Sequence, residues 1–318
     1  MDHLLVAGLS PAFLLMAYGS VKTRSSWRSL SLWMAFLAGA GAAFVAMVVE
    51  IWVMRALRPE AMDVVAGAAT RAFFGAALPE ETVKLLAVLA VLGRAAHKHR
   101  VQDVIMLALT VSMGFAGMEN LLYIAGPQRG VALMRAVTAV PAHGIFGLAM
   151  GALLAASRLH FGRLGQATPI ALGTSVLLHT AYDFPLMSLR PAYPNTWEFP
   201  LLLGTMTVGA LLAITLSNQV LADAAERDPY SAQPTGPADA AAPTLFGTII
   251  MALFAPGFGL LMIGSPDDLT RWLVLFISLL PLTLGIDLLA TGRSRRNIWL
   301  SARLRPPPRR FSGPDRAG

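Results

Sequence analysis

The 318-residue chain contains no cysteine, which excludes disulfides, thiolate metal sites and a catalytic thiol. Charge is scarce as well: Asp, Glu, Lys and Arg make up 14% of the residues, against roughly 25% in an average soluble domain. Hydrophobic residues reach 55% and the mean hydropathy is +0.60. An ordinary soluble domain is thereby excluded. In hydrocarbon every backbone polar group must be satisfied internally, so long apolar runs predict an all-α, polytopic transmembrane helix bundle.

Apolar runs near the ~20 residues needed per span lie at roughly 4–21, 30–54, 72–94, 103–125, 133–157, 168–188, 199–220, 244–264 and 270–291. Nine spans are expected. The N-terminal Met1-Asp2-His3 lacks the basic region of a secretory signal, so the first run reads as a retained helix.

The net charge is +7, and its distribution is topogenic. Alternating the loops puts Lys22, Arg24, Arg28, Arg94, Lys98, Arg100, Arg158, Arg163, Arg227 and eight arginines from Arg293 onward on one side. Arg55, Arg58, Arg71, Arg129, Arg135, Arg190 and Arg271 fall on the other. The positive-inside rule makes the first side cytoplasmic, with the N-terminus outside and the C-terminus inside. A basic excess confined to short loops and a tail speaks against a nucleic-acid partner.

Residues 1–221 form the expected seven-span core. The Pro- and Ala-rich segment 222–243 reads as a cytoplasmic linker, 244–291 as a two-span hairpin, and the Arg- and Pro-rich 292–318 as a disordered tail near anionic lipid. No internal repeat of the kind that builds transporters is visible.

Within these apolar spans stand Glu80-Glu81-x-x-Lys84, Glu119-Asn120, His143 and His179-x-x-x-Asp183. At about 3 kcal/mol for each charged group at membrane depth, the five Glu, Lys and Asp residues would cost roughly 15 kcal/mol unpaired. That rivals the ~5–15 kcal/mol net stability of a typical fold. They must pair or line a hydrated cavity, which makes them candidates for an active site or an ion path.

Local spacing refines this. Pro79 suits the first turn of a helix, where the positive dipole end favours Glu80 and Glu81. Lys84 reaches either carboxylate from the next turn, and Asp183 lies one turn from His179. Gly114, Ala116 and Gly117 before Glu119, and Gly147 and Gly151 after His143, read as close-packing faces. A rise of about 1.5 Å per residue puts all these polar groups roughly 8–15 Å below the outer surface. Glu50, near Arg55, reads as interfacial, and Asp287 as an isolated structural charge on the last span.

Carboxylates and histidines around one cavity, with neither Cys nor a Ser nucleophile motif, suit activation of water and hence hydrolysis. His143, His179 and either Glu80 or Glu119 could form a two-His, one-carboxylate zinc set with an open position. The contiguous H-E-x-x-H motif is absent.

The four stretches PEETVKLL, GFAGMENLLYI, AHGIFGLAMG and LLHTAYDF, in this order on successive spans, resemble the PrsW family of intramembrane proteases. That family is distantly related to the CAAX-processing and bacteriocin-immunity (Abi) membrane proteases. The resemblance spans about residues 60–220. It implies endoproteolytic, site-one cleavage of a membrane-anchored substrate, typified by an anti-sigma factor, in the bacterial cytoplasmic membrane. By the same resemblance Glu80 is the water-activating base, Glu81, Lys84, Glu119 and His143 are site residues, and His179 stabilises the oxyanion. Asp183 stands where the CAAX relatives carry Asn, and Glu119 where they carry His. A proton-coupled transporter or channel, and a non-enzymatic membrane scaffold or sensor, are the rival readings, since intramembrane carboxylates and histidines also build proton relays.

Overall fold

The computed structural model describes residues 2–24, 29–94, 100–126, 129–161, 166–188, 198–227, 237–263 and 268–304, and these are helical throughout apart from short turns. The helices are α1 (Asp2–Thr23), α2 (Ser29–Leu57), α3 (Val64–Thr70), α4 (Leu78–Arg94), α5 (Val101–Ala125), α6 (Arg129–Val137), α7 (Ala139–Phe161), α8 (Thr168–Ser188), α9 (Glu198–Arg227), α10 (Pro237–Ile263) and α11 (Asp268–Leu304). Among the described residues, Ser31–Ala61, Val101–Ala125, Val131–Phe161 and Pro200–Arg227 are long and apolar enough to cross a membrane.

α5 and α7 form the centre. α5 touches α1, α2 and α7, and α7 touches α8 and α9. Their sequences explain the closeness. A Cβ on Gly114 would lie 1.9 Å from the Phe36 carbonyl oxygen, and one on Gly39 1.9 Å from that of Val111, so backbone meets backbone between α2 and α5. Gly147 and Gly151 do the same for α7, their absent Cβ atoms falling 2.4 Å from Ser112 Oγ and 2.9 Å from Ala108 Cβ of α5. With no hydrophobic force between helices in lipid, such close contact supplies the dispersion attraction that holds them.

Two interruptions shape the end of the bundle that carries the site. Between α3 and α4, residues Arg71–Ala77 form a π-helical stretch in which the Leu78 N–H donates to the Phe73 carbonyl, five residues back. Pro79, next in line, has no N–H to give, so a local change of register is an expected response. Between α6 and α7 the chain turns at Thr138, and Pro141 then occupies the first turn of α7, where its missing donor costs nothing.

Three expectations are revised. α9 continues through Arg227 and α10 starts at Pro237, so both ends of the expected 222–243 linker are helical. The reason is alanine: ADAAER and ADAAAP favour helix more than their polarity suggests. Residues 228–236 lie outside the described residues. The expected tail is helical as far as Leu304, and 305–318 lie outside the described residues. Asp287 is not isolated. Its carboxylate accepts from Tyr18 Oη at 2.8 Å, Lys22 Nζ at 2.6 Å and Asn218 Nδ2 at 2.8 Å, tying α11 to α1 and α9. Those partners sit on other helices, which spacing along one span cannot reveal.

Candidate active site

The first turn of α4 delivers Glu80 and Glu81, and its second turn Lys84; Glu81 and Lys84 are fully buried and Glu80 nearly so. Lys84 Nζ donates to Glu81 Oε1 at 2.7 Å, to Glu80 Oε2 at 3.2 Å and to Nδ1 of His143 at 2.9 Å. An ammonium has three donors and no lone pair, so these contacts use its full capacity. The ammonium also lies 4.0 Å from the centroid of the Phe115 ring, whose face attracts the charge.

Because Lys84 can only donate, Nδ1 of His143 accepts and the ring proton is assigned to Nε2. Nε2 lies 3.1 Å from Glu119 Oε2, the acceptor that this tautomer requires. His179 differs: Nδ1 lies 2.9 Å from Glu81 Oε1 and Nε2 3.2 Å from Asp183 Oδ2. With a carboxylate at each nitrogen, only the protonated ring donates to both. Phe146 stacks on it with centroids 4.9 Å apart, fixing its plane.

Seven of the eight residues singled out in the sequence, Glu80, Glu81, Lys84, Glu119, His143, His179 and Asp183, therefore join one network drawn from α4, α5, α7 and α8. Asn120 does not join; its side chain turns to α1 and donates to the Gly8 carbonyl at 2.9 Å. Two participants escaped the sequence reading. Arg135 of α6, counted there among loop charges, places Nη2 2.5 Å from Glu119 Oε1 and lays its guanidinium 4.2 Å from the centre of the Tyr123 ring. Glu50, expected at the interface beside Arg55, instead lines the same cavity as Glu80 and Glu119. The available signal was charge balance, since four carboxylates within apolar spans with a single lysine call for further cations. With His179 protonated, Lys84, Arg135 and His179 face Glu80, Glu81, Glu119 and Asp183, and the desolvation cost is largely offset.

That cavity has a volume of about 400 Å³, and a second of about 370 Å³ adjoins it; Glu50, Glu80, Glu119 and Tyr123 line both. Ala43, Met47, Phe115 and Leu122 make the second one mainly apolar. Glu81 and Lys84 line neither. Of the adjacent glutamates, Glu80 faces the open space, its Oε2 4.0 Å from Nε2 of both histidines, and Glu81 is sealed behind it.

One ligand atom from each of Glu80, Glu81, His143 and His179 lies within 4.8 Å of the others. Two imidazoles with carboxylates suit zinc, and Glu81 Oε2 is buried without a hydrogen-bond partner, so the donor set fits a metal. Glu119 is not in this group. The competing cation is Lys84, already bonded to three of the four.

Residues 28–211, more than half of the chain and containing every residue of the network, match the family described as PrsW family intramembrane metalloprotease. Protease PrsW of Oceanobacillus iheyensis is 29% identical over 189 residues, covering 58% of this chain and 84% of the relative. Protease PrsW of Bacillus subtilis is 27% identical over 191 residues, 59% of this chain and 85% of the relative. Protease PrsW of Clostridioides difficile is 31% identical over 121 residues, 36% of this chain and 51% of the relative. No solved structure matches the chain. With its buried glutamate, lysine and histidine network inside the matched region, the chain belongs to the PrsW family of intramembrane proteases.

Proposed function

We propose that the chain hydrolyses a peptide bond of a membrane-anchored protein inside the bilayer, with Glu80 as the base that activates water. The observation that carries this reading is the asymmetry of the glutamate pair: Glu80 faces a 400 Å³ cavity and lies 4.0 Å from two imidazoles, and Glu81 is sealed behind it. In the reaction Glu80 takes a proton from water, the water oxygen bonds to the scissile carbonyl carbon, and negative charge develops on the carbonyl oxygen. The Nε2–H groups of His143 and His179 donate to Glu119 and Asp183 in the resting site and lie 4.0 Å from Glu80 Oε2, so in the transition state they would share their protons with that oxyanion. Collapse breaks the C–N bond, and the proton held by Glu80 passes to the leaving amine.

The other residues set this up. Glu81 binds Lys84 and His179 together through Oε1, so its charge holds α4 and α8 in register. Asp183 fixes the His179 ring, and Glu119, held by Arg135, orients His143. Asp183 thus serves as an acceptor to histidine, a role that an ionised carboxylate can fill. If zinc is bound, Glu80, Glu81, His143 and His179 would hold it, and it would supply Lewis acidity at the attacked carbonyl.

The topology we assign has nine spans, with the N-terminus outside and the C-terminus in the cytoplasm of a bacterial cell. It divides into a seven-span core that ends with α9 and an accessory hairpin of α10 and α11. It rests on the charge bias of the loops, and it puts the cavity in the outer half of the membrane. The substrate we assign is a membrane-anchored regulator of the anti-sigma factor type, cut at site one.

The test is cleavage of a membrane-anchored substrate by purified chain in liposomes. Glu80→Gln should reduce turnover at least ~10²-fold, the scale of a lost general base, with the helical spectrum and melting unchanged. Undiminished cleavage by that variant would remove Glu80 from the mechanism.

A further inference from the structure

A second polar cavity lies at the opposite end of the bundle from the active site. It measures about 360 Å³ and is framed by the last turn of α1, the first turn of α5, α9 and α11. That size falls within the roughly 300–1,000 Å³ of small-ligand pockets. Its walls carry Lys22, Arg24, Arg100 and Arg295 against one carboxylate, Asp287. Lys22 takes that carboxylate at 2.6 Å. The hydrogen-bonding groups of Thr23, Gln102, Asn218, Thr291 and Ser294 complete the polar lining.

The cations are held in place from behind. Asp239 lies 2.7 Å from Arg24 and 3.8 Å from Arg295, and Asp103 lies 3.7 Å from Arg100. Arg295 also caps α1, its Nη2 donating to the Lys22 carbonyl at 2.7 Å. Arg24 ends α1 with φ 52, a left-handed conformation that residues with a Cβ seldom adopt. The first turn of α5 adds the positive end of a 25-residue helix.

We infer that this cavity binds a phosphate-bearing anion, and that its source is the headgroup of an anionic phospholipid. Four cations, backbone dipole and hydroxyl and amide groups around one cavity are the chemistry that recognises phosphate. The lipid source follows from position. All four cations belong to the loops and helix ends that the charge bias assigns to one membrane face, the level at which phospholipid phosphates lie. Ile298, Leu221 and Ala225 add an apolar wall where the glycerol and first acyl carbons would rest. Basic pockets between helix ends are a recurrent mode of anionic lipid binding. Lys22, Arg24, Asn218 and Arg295 lie outside the family-matched residues 28–211 and Arg100 and Gln102 lie within them, so the cavity joins the matched region to the segments on either side of it.

The test uses the full-length chain in mild detergent, with lipid binding read by native mass spectrometry. The probes are phosphatidylglycerol, phosphatidylcholine and inorganic phosphate. The variant is the double substitution Arg24→Gln and Arg100→Gln, chosen because both side chains are partly exposed and neither touches the active site. The expected result is one phosphatidylglycerol bound at least tenfold more tightly than phosphatidylcholine, and about tenfold more weakly by the variant, whose melting without lipid matches the parent. Resistance of the bound lipid to excess inorganic phosphate supports the lipid source. Full displacement by phosphate would overturn that source and assign the cavity to a soluble phosphate. Equal phosphatidylglycerol binding by parent and variant would overturn the site itself.

Discussion

Lys84 Nζ of α4 lies 2.9 Å from His143 Nδ1 of α7, and this contact joins the glutamate pair to the histidine that faces Glu119. It makes the lysine ammonium the cation at the centre of the donor set formed by Glu80, Glu81, His143 and His179.

Replacing Lys84 with Met should therefore have two effects. Breaking a buried ion pair from one side costs about 3–5 kcal/mol, to be read as lowered resistance to denaturant in detergent. At the same time the donor set loses its resident cation, so zinc bound per chain, measured by mass spectrometry after dialysis, should rise relative to the parent. Equal zinc content in both proteins would mean that Lys84 does not compete with metal.

Glu81→Gln should differ in kind from Glu80→Gln. Glu81 Oε1 accepts from both Lys84 and His179, and its loss leaves Lys84 with Glu80 and His179 with Asp183 as their remaining carboxylates. Stability should fall by several kcal/mol, on the order of 3–5, together with cleavage. Melting curves of the two variants, recorded side by side, decide the matter; equal stability would show that the pair is not divided as described.

Arg135 acts through Glu119. Arg135→Met should lower turnover about 10–100-fold, the scale of losing a partner that orients a site ligand. Arg135→Lys should restore part of the loss. A double-mutant cycle with Glu119→Gln should give a coupling of roughly 0.5–3 kcal/mol. Additive effects on turnover would sever the relay from Arg135 to His143.

Gly114→Ala brings a Cβ to 1.9 Å from the Phe36 carbonyl oxygen, where backbone has to move. The overpacking should destabilise by about 1–3 kcal/mol. It should also raise KM, because α2 and α5 wall the 370 Å³ cavity beside Glu80. Denaturation and steady-state cleavage measured on the same preparation check both parts, and an unchanged KM would separate that cavity from substrate binding.

Much of the site was legible because hydrocarbon penalises charge so heavily. Glu80, Glu81, Lys84, Glu119 and Asp183 stand out in apolar runs, and a helical turn is enough to pair Lys84 with the glutamates and Asp183 with His179. Arg135 and Glu50 did not stand out, since each is near the end of an apolar run, where a charge is ordinarily interfacial. Asp287 was visible but its partners were not, because Tyr18 and Lys22 are 269 and 265 residues away.

The amino-acid sequence by itself determined an all-helical membrane protein, because no other regular structure satisfies its backbone in lipid without closing a barrel. It also determined which side chains had to find partners. Only the tertiary structure decided what those partners are: that His143 accepts from Lys84, that His179 lies between two carboxylates, and that Glu80 rather than Glu81 faces the cavity. Adjacent residues on a helix point about 100° apart. Which of the two glutamates faces the cavity therefore depends on how α4 rotates against α5, α7 and α8, and that rotation is set by contacts between helices.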